Sequence, residues 1–230
     1  MAGLNGVRFR PLSMVKHRVL KPGIKLRTVK FGLLKGLKLH LDFSTETQIY
    51  LGLYETETFS ATRELIRRAA WMVDVGAGVG ELALYFMKVH GPHTVFAFEP
   101  RPEQLARFGD NLAANGWAVS DVSMSSDFVG LGEGCTALDA LAPQLNNRGL
   151  IKIDVDGAEM DVLRSAEGLL RAGAADFLVE VHSKELEEAC IALFKANGYK
   201  VDIIPNAWWR LFVPERRNIE HNRWLTAVHA

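Results

Sequence analysis

Apolar runs and amphipathic segments alternate along most of this chain, and their order predicts its elements. Short apolar runs, typical of buried parallel strands, lie at 71–75, 94–98, 150–155 and 177–181. Segments with apolar residues near helical spacing lie at 55–70, 81–89, 102–115 and 184–197. Further elements are predicted as a strand at 117–124, helices at 137–145 and 159–172, and a strand pair at 199–204 and 223–229. This order predicts an α/β fold with a doubly wound, mostly parallel, Rossmann-like sheet of seven strands.

The beginning of the chain has a different pattern. Alternating polar and apolar residues in Lys25–Val29 and Leu37–Leu41 predict an antiparallel hairpin with one buried face. We therefore divide the chain into a basic, partly irregular arm at 1–23, a hairpin or lid extension at 24–60 and a main domain at 61–230. The doubly wound sheet is thus expected to carry an N-terminal β-rich extension.

A glycine loop follows the first predicted strand of the main domain. Gly76, Gly78 and Gly80 allow a tight turn and let a ligand lie against the backbone before the next helix begins. A strand, a glycine loop and a helix in this order form the nucleotide-binding start of a doubly wound fold. The simpler alternative is a glycine-rich turn in an unrelated α/β protein.

Charge around this loop indicates which nucleotide binds. Glu81 occupies the position of the last glycine in the dinucleotide pattern, where a pyrophosphate would lie on the helix N-terminus. A carboxylate there suits the helix dipole but repels phosphate, and Asp74 adds a second carboxylate at the strand end. The loop therefore favours a nucleoside ligand without phosphates and with positive charge, and S-adenosylmethionine fits this description.

Acidic residues after the next two strands extend the predicted cofactor site. Glu99, followed by Pro100, lies about 20 residues beyond the glycine loop, where two carboxylate oxygens can meet two ribose hydroxyls. We favour Asp127 as the residue that meets the adenine amino group, with Phe128 as an apolar wall, and Asp121 is the alternative. The complete predicted cofactor-binding set is Asp74, Gly76, Ala77, Gly78, Gly80, Glu99, Pro100, Asp127, Phe128 and Asp154.

Composition is ordinary for a soluble globular protein, with 48% hydrophobic and 23% charged residues among 230. No apolar run is long enough to span a bilayer, and no signal peptide is evident at the N-terminus. Cys135 and Cys190 are far apart in the sequence, which favours a reducing, cytoplasmic compartment over a disulfide framework. No cysteine and histidine cluster has zinc spacing.

The net charge of zero conceals an asymmetry. Residues 1–41 contain ten lysines and arginines and no acidic residue, whereas 42–230 contain 17 basic and 27 acidic residues. A basic arm on an acidic body can bind nucleic acid or an anionic membrane surface. It can also pack on the acidic body or hold an anionic substrate, and these alternatives stay open.

The motifs together resemble the FkbM-like family of class I S-adenosylmethionine-dependent methyltransferases. The resemblance rests on the segments Val73–Gly80, Phe96–Pro100, Thr136–Asp139, Ile151–Glu159 and Glu180–His182. Lys-Ile-Asp-Val-Asp-Gly-Ala-Glu is the most specific segment, although the family more often reads Val-Glu-Gly where this chain reads Val-Asp-Gly. The resemblance implies a bacterial O-methyltransferase that acts on sugars, glycolipids or natural products.

Three side chains at predicted strand ends are the catalytic candidates. Asp154, Glu180 and His182 face the cofactor crevice of such a sheet, and a hydroxyl acceptor needs its proton removed near the transition state. The alternatives are a turn-capping role for Asp154 and a satisfied edge position for His182. Carboxylates with a histidine can also hold Mg²⁺, but no metal-ligand spacing is visible, so no metal is predicted. Lys152 lies mid-strand and is expected to need an acidic partner.

The predicted function is therefore methyl transfer from S-adenosylmethionine to a hydroxyl of a small-molecule, glycan or lipid acceptor. One alternative is a non-catalytic module that binds the cofactor, and the presence of Asp154 and Glu180 argues against it. Another is a nucleic-acid methyltransferase that uses the basic arm, but the chain lacks an Asn/Asp-Pro-Pro-Tyr block for base amines. The oligomeric state stays open.

Overall fold

A computed structural model describes residues 23–92, 94–206 and 221–229 of the chain, so all of the basic arm at 1–23 except Gly23 lies outside the described residues. The strands in the described part, in chain order, are β1 Ile24–Thr28, β2 Lys38–Asp42, β3 Met72–Val75, β4 Val95–Phe98, β5 Ser123–Ser125, β6 Phe128–Val129, β7 Cys135–Thr136, β8 Gly149–Ile153, β9 Ala175–Val181, β10 Tyr199–Ile204 and β11 Arg223–His229. The α-helices are α1 Thr47–Leu51, α2 Phe59–Arg68, α3 Glu81–His90, α4 Pro102–Ala114, α5 Glu159–Arg164, α6 Glu167–Arg171 and α7 Lys184–Ala196.

The predicted doubly wound sheet is confirmed. Seven strands lie in the order β10-β11-β9-β8-β3-β4-β5, and β11 pairs antiparallel with both β9 and β10 while the other pairs are parallel. Every residue of β3, β4, β8 and β9 is buried, because hydrophobic clusters cover both faces of the sheet. Phe177 and Phe194 belong to one cluster, and Phe86 and Phe108 belong to the other.

The predicted hairpin forms from β1 and β2, with Leu39 and Leu41 buried beneath it. Asn111 of α4 fixes its position, since its Oδ1 accepts the backbone N–H of His40 at 2.7 Å. The Nδ2 of the same side chain donates to the carbonyl of Val79 at 3.0 Å. One fully buried amide therefore joins the extension to the glycine loop.

Three predicted elements differ from the structure for local reasons. The helix predicted at 159–172 is divided into α5 and α6, because Ser165 donates its hydroxyl to the carbonyl of Val162 and accepts the N–H of Leu138. The segment 137–145 forms a 3₁₀ helix, Leu138–Gln144, that contains Pro143.

Strand β5 is shorter than the strand predicted at 117–124. A 3₁₀ turn, Val119–Asp121, occupies the first part of the predicted segment, and the side chain of Asp121 closes it by accepting the N–H of Ala118 at 2.9 Å. Strand pairing with β4 begins only at Ser123 and ends at Ser125. A short polar strand at a sheet edge has little apolar periodicity to mark its start.

Candidate active site

The three glycines of the loop between β3 and α3 differ in how closely other atoms approach them. Gly76, Gly78 and Gly80 all have positive φ, at 73°, 56° and 86°. A Cβ on Gly76 would lie 1.9 Å from the carbonyl oxygen of Asp154, and one on Gly80 would lie 2.1 Å from the Phe108 ring. A Cβ on Gly78 would meet nothing closer than a carboxylate oxygen of Glu81 at 3.7 Å. Gly76 and Gly80 are thus required by packing, whereas the space beside Gly78 is open.

Glu99 follows β4 and lies against this loop. One of its oxygens accepts the N–H of Gly78 at 2.9 Å, and the other accepts the backbone N–H of Arg101 at 3.1 Å and its Nε at 2.7 Å. Burial opposes ionisation of Glu99, but these hydrogen bonds, led by the Arg101 side chain, hold its pKa below the ordinary value. An ionised carboxylate is therefore fixed at the predicted ribose position.

Lys152 lies beneath the loop and joins two strands. Its Nζ donates to the carbonyl of Gly76 at 2.6 Å and lies 3.1 Å from Asp74 and 3.4 Å from Asp154. Burial disfavours the ammonium, but the Asp74 and Asp154 carboxylates outweigh it and raise the pKa of Lys152. The predicted acidic partner of Lys152 is confirmed, and Asp74 is engaged with this lysine while only 1% exposed.

The three predicted catalytic side chains lie together where β8 and β9 end. One ligand atom each of Asp154, Glu180 and His182 lies within 4.8 Å of the others. Burial and the neighbouring Asp154 carboxylate raise the pKa of Glu180 to about 10. Two carboxyl groups in so small a space either share a proton, so that only one of them is ionised, or need a cation between them.

His182 is oriented by a carboxylate of the next helix. Its Nδ1 lies 2.5 Å from Oε1 of Glu159, which is fully buried at the start of α5. This contact leaves Nε2 near Asp156, at 3.6 Å, and Glu180, at 3.8 Å. Burial lowers the pKa of His182, but the hydrogen bond to Glu159 and the nearby carboxylates outweigh it, so the net shift is upward.

The predicted adenine residues lie beyond the end of β5. Asp127 is exposed, and its carboxylate accepts the hydroxyl of Thr136 at 2.8 Å, while the Phe128 side chain is 65% exposed beside it. Asp121 lies before β5, at the amino end of that strand. Since ligands of such sheets bind at the carboxyl ends of the strands, the position of Asp127 supports it over Asp121.

Several contacts were not predicted from the sequence. Arg101 pairs with Glu99, and Glu159 pairs with His182. Glu99, Glu159 and His182 lie in the sequence motifs and Arg101 directly follows one of them, but only the fold reveals these contacts. For Tyr54 of the extension, the carboxylate of Glu55, then burial around its hydroxyl and the Asp154 carboxylate, raise the pKa well above the ordinary value, although the residue as a whole is 46% exposed.

The strand order, the crevice at the carboxyl strand ends and the glycine loop define the class I methyltransferase fold. Two solved structures share it at a TM-score of 0.50: a precorrin-6y C5,15-methyltransferase from Geobacter metallireducens and an S-adenosylmethionine-dependent O-methyltransferase from Thermotoga maritima. They are 17% and 14% identical to the chain, cover 76% and 77% of it, and are themselves covered over 87% and 66% of their length. At these identities the likeness concerns the fold.

The predicted resemblance to the FkbM methyltransferases is confirmed over part of the chain. The sequence profile of the methyltransferase FkbM domain matches residues 120–201, which include Asp154, Glu180 and His182. A methyltransferase FkbM from Methylobacillus flagellatus is 16% identical, with a TM-score of 0.48, over 70% of this chain and 44% of that one. No curated protein matches the chain by sequence. The family match supports a methyltransferase that depends on S-adenosylmethionine.

No helix in the ranges 23–92, 94–206 and 221–229 has the length and apolar character needed to cross a bilayer.

Proposed function

We propose that the chain transfers a methyl group from S-adenosylmethionine to a hydroxyl of a small-molecule, glycan or lipid acceptor. The observation that carries this proposal is the position of Asp154, Glu180 and His182 beside the glycine loop. The carbonyl of Asp154 lies against Gly76, and its N–H donates to Val75 at 3.0 Å. Groups that can handle an acceptor hydroxyl therefore border the predicted cofactor space.

The residues around the loop fit the cofactor. Gly78 leaves open the space that a Cβ would enter, and Glu99 presents an ionised carboxylate for two ribose hydroxyls. For the adenine we propose Asp127 and Phe128, which lie beyond the end of β5, and for the surroundings of the ribose the backbone of Ala77 and Pro100. When bound, the cofactor supplies an electrophilic methyl group on a sulfonium, and the protein contributes position and proton removal.

The catalytic roles are divided among three side chains. Asp154 and His182 hold and deprotonate the acceptor hydroxyl, and Glu180 borders both of them. Glu159 keeps His182 oriented, so that Nε2 faces the crevice. We also propose a reducing, cytoplasmic compartment, because Cys135 and Cys190 are far apart in the sequence.

The acceptor class is tested directly with labelled cofactor. Purified protein is incubated with methyl-labelled S-adenosylmethionine and separate fractions of host glycans, lipids, small metabolites and RNA. Label in a glycan, lipid or small-molecule hydroxyl, stable to mild base, supports the proposal. Label in RNA alone would favour the nucleic-acid alternative, and tight cofactor binding without transfer to any fraction would favour the non-catalytic module.

A further inference from the structure

The cluster of Asp154, Glu180 and His182 has the dimensions of a metal site. The three ligand atoms lie within 4.8 Å of one another, and Nε2 of His182 lies 3.8 Å from Glu180. Ligands about 2.1 Å from an octahedral cation stand roughly 3 Å apart when adjacent and roughly 4.2 Å apart when opposite. Small side-chain rotations would therefore bring all three atoms into one coordination shell.

The ring of His182 is oriented in the way that is typical of a metal-binding histidine. A ligating histidine donates its other ring N–H to a carboxylate, which fixes the tautomer and directs the free nitrogen to the metal. His182 meets this condition, since Nδ1 contacts Glu159 at 2.5 Å while Nε2 lies 3.8 Å from Glu180 and 3.6 Å from Asp156. Glu159 is 0% exposed, so this orienting contact lies in the protein interior.

The local charge balance also favours a cation. Asp74, Asp154 and Glu180 are acidic. In the described ranges, Lys152 is the one lysine or arginine whose side-chain nitrogen lies within 4.0 Å of their carboxylate oxygens. The His182 ring lies 3.8 Å from Glu180. Asp154 and Glu180 face each other across this small space, so the two carboxyl groups favour a cation between them.

We propose that Asp154, Glu180 and His182 bind one divalent cation, with two carboxylate oxygens and one imidazole nitrogen as protein ligands. This donor set suits Mn²⁺ and Mg²⁺, which prefer oxygen, and the imidazole favours Mn²⁺ of the two. The ligands come from two neighbouring strands rather than from one motif, which is why the sequence shows no metal spacing and leads to the opposite expectation.

The chemical role rests on the proposed function. The cation would lower the pKa of an acceptor hydroxyl and hold its oxygen in line with the methyl group. With Asp154 and His182 bound to the cation, these side chains hold the cation and do not take the proton themselves. The hydroxyl proton leaves to solvent, and the oxygen forms a bond to the methyl carbon. The carbon–sulfur bond breaks, and its electron pair stays on sulfur, so that the sulfonium becomes a neutral thioether.

Direct metal binding tests the site without any acceptor. Metal-free protein is titrated with Mn²⁺ by calorimetry and by electron paramagnetic resonance, with Mg²⁺ as competitor and without cofactor. We expect one saturable Mn²⁺ site per chain, weakened at least about 10-fold in Glu180→Gln and in His182→Gln. Glu188→Gln, on an exposed glutamate of α7, is the matched control and should bind as the parent does.

Absence of saturable Mn²⁺ binding in a protein that unfolds cooperatively would overturn the proposal. Equal affinity in the parent, Glu180→Gln and His182→Gln would also overturn it, since the metal would then lie elsewhere. Methyl transfer at an unchanged rate after chelation would refute the metal and leave the proposed function intact. Conversely, Mn²⁺ binding at these residues without binding of S-adenosylhomocysteine would support the site and contradict the proposed function.

Discussion

Two buried glutamates at carboxyl strand ends, Glu99 and Glu180, have opposite electrostatic states. Glu99 receives N–H groups from Gly78 and Arg101, and its pKa lies below the ordinary value. Glu180 faces the carboxylate of Asp154, and burial with this neighbour raises its pKa to about 10. The residue type is the same, so the supply of donors from neighbouring segments decides the state.

The difference divides the crevice into two halves with different roles: the half around Glu99 and the glycine loop, and the half around Asp154, Glu180 and His182. The Glu99 half already has balanced charge, so it is suited to neutral groups such as ribose hydroxyls. The Glu180 half has an excess of carboxylates over lysine, so it is suited to a proton or a cation near the reacting oxygen. Cofactor binding and catalysis should therefore respond separately to substitutions in the two halves.

The largest effect is expected in the catalytic half. Glu180→Gln keeps the shape of the side chain but removes a ligand of the proposed cation, which would activate the acceptor hydroxyl, so methyl transfer should fall about 10²–10⁴-fold. Affinity for S-adenosylhomocysteine should stay close to that of the parent, because Gly78 and Glu99 are untouched. The measurement is labelled methyl transfer together with calorimetry of the product, and parental turnover in this variant would show that Glu180 takes no part.

The second largest effect is expected at Gly78. A valine there fits the fold, since the nearest atom to a new Cβ is 3.7 Å away, although its φ of 56° costs about 1–2 kcal/mol. Its side chain would enter the cofactor space, so S-adenosylhomocysteine affinity should fall at least about 100-fold, or about 2.7 kcal/mol. Gly80→Ala is the contrasting variant, because its Cβ would collide with Phe108 and the fold itself should suffer. Tight product binding by folded Gly78→Val would remove the loop from the cofactor site.

A smaller effect is expected at Glu99. Glu99→Ala removes the carboxylate that would accept two ribose hydroxyls, so product affinity should fall about 10–100-fold, equivalent to about 1.4–2.7 kcal/mol. Arg101→Ala leaves the carboxylate and the Gly78 N–H in place, so its effect on affinity should be several-fold smaller. Calorimetry of the two variants decides the point, and a greater loss in Arg101→Ala would mean that the arginine, not Glu99, holds the ligand.

The smallest effect concerns stability at the glycine loop. Burial raises the pKa of Glu81 to about 7, so the native state holds a proton that the unfolded chain loses above its ordinary value near 4.5. Stability from this group therefore falls as the pH rises through this window. Glu81→Gln should raise the free energy of unfolding by about 1–2 kcal/mol near pH 8, with a smaller gain near pH 5.

Urea unfolding at both pH values measures this difference, with the exposed Glu64→Gln of α2 as control. A loss of stability in Glu81→Gln at both pH values would show that the ionised form makes favourable contacts. The expected gain would identify Glu81 as a carboxylate retained in the loop at a cost in stability.

The sequence by itself determined the order of strands and helices, the position of the glycine loop and the strand-end residues. Apolar runs and helical patterns are local, so they mark β3, β8 and α4 without knowledge of partners. Parallel strands place their carboxyl ends at one edge, and for this reason the sequence also predicted that Asp154, Glu180 and His182 face a common crevice.

Only the tertiary structure decided what each of these side chains contacts. The hydrogen bond of Glu159 to His182 spans 23 residues, and the contact of Lys152 with Asp74 joins two strands far apart in the sequence. Where β5 ends, and hence the place of Asp127 beyond it, was likewise set by strand pairing with β4. A carboxylate ionises according to its burial and to the donors and charges within a few ångströms, and the fold alone brings those groups together.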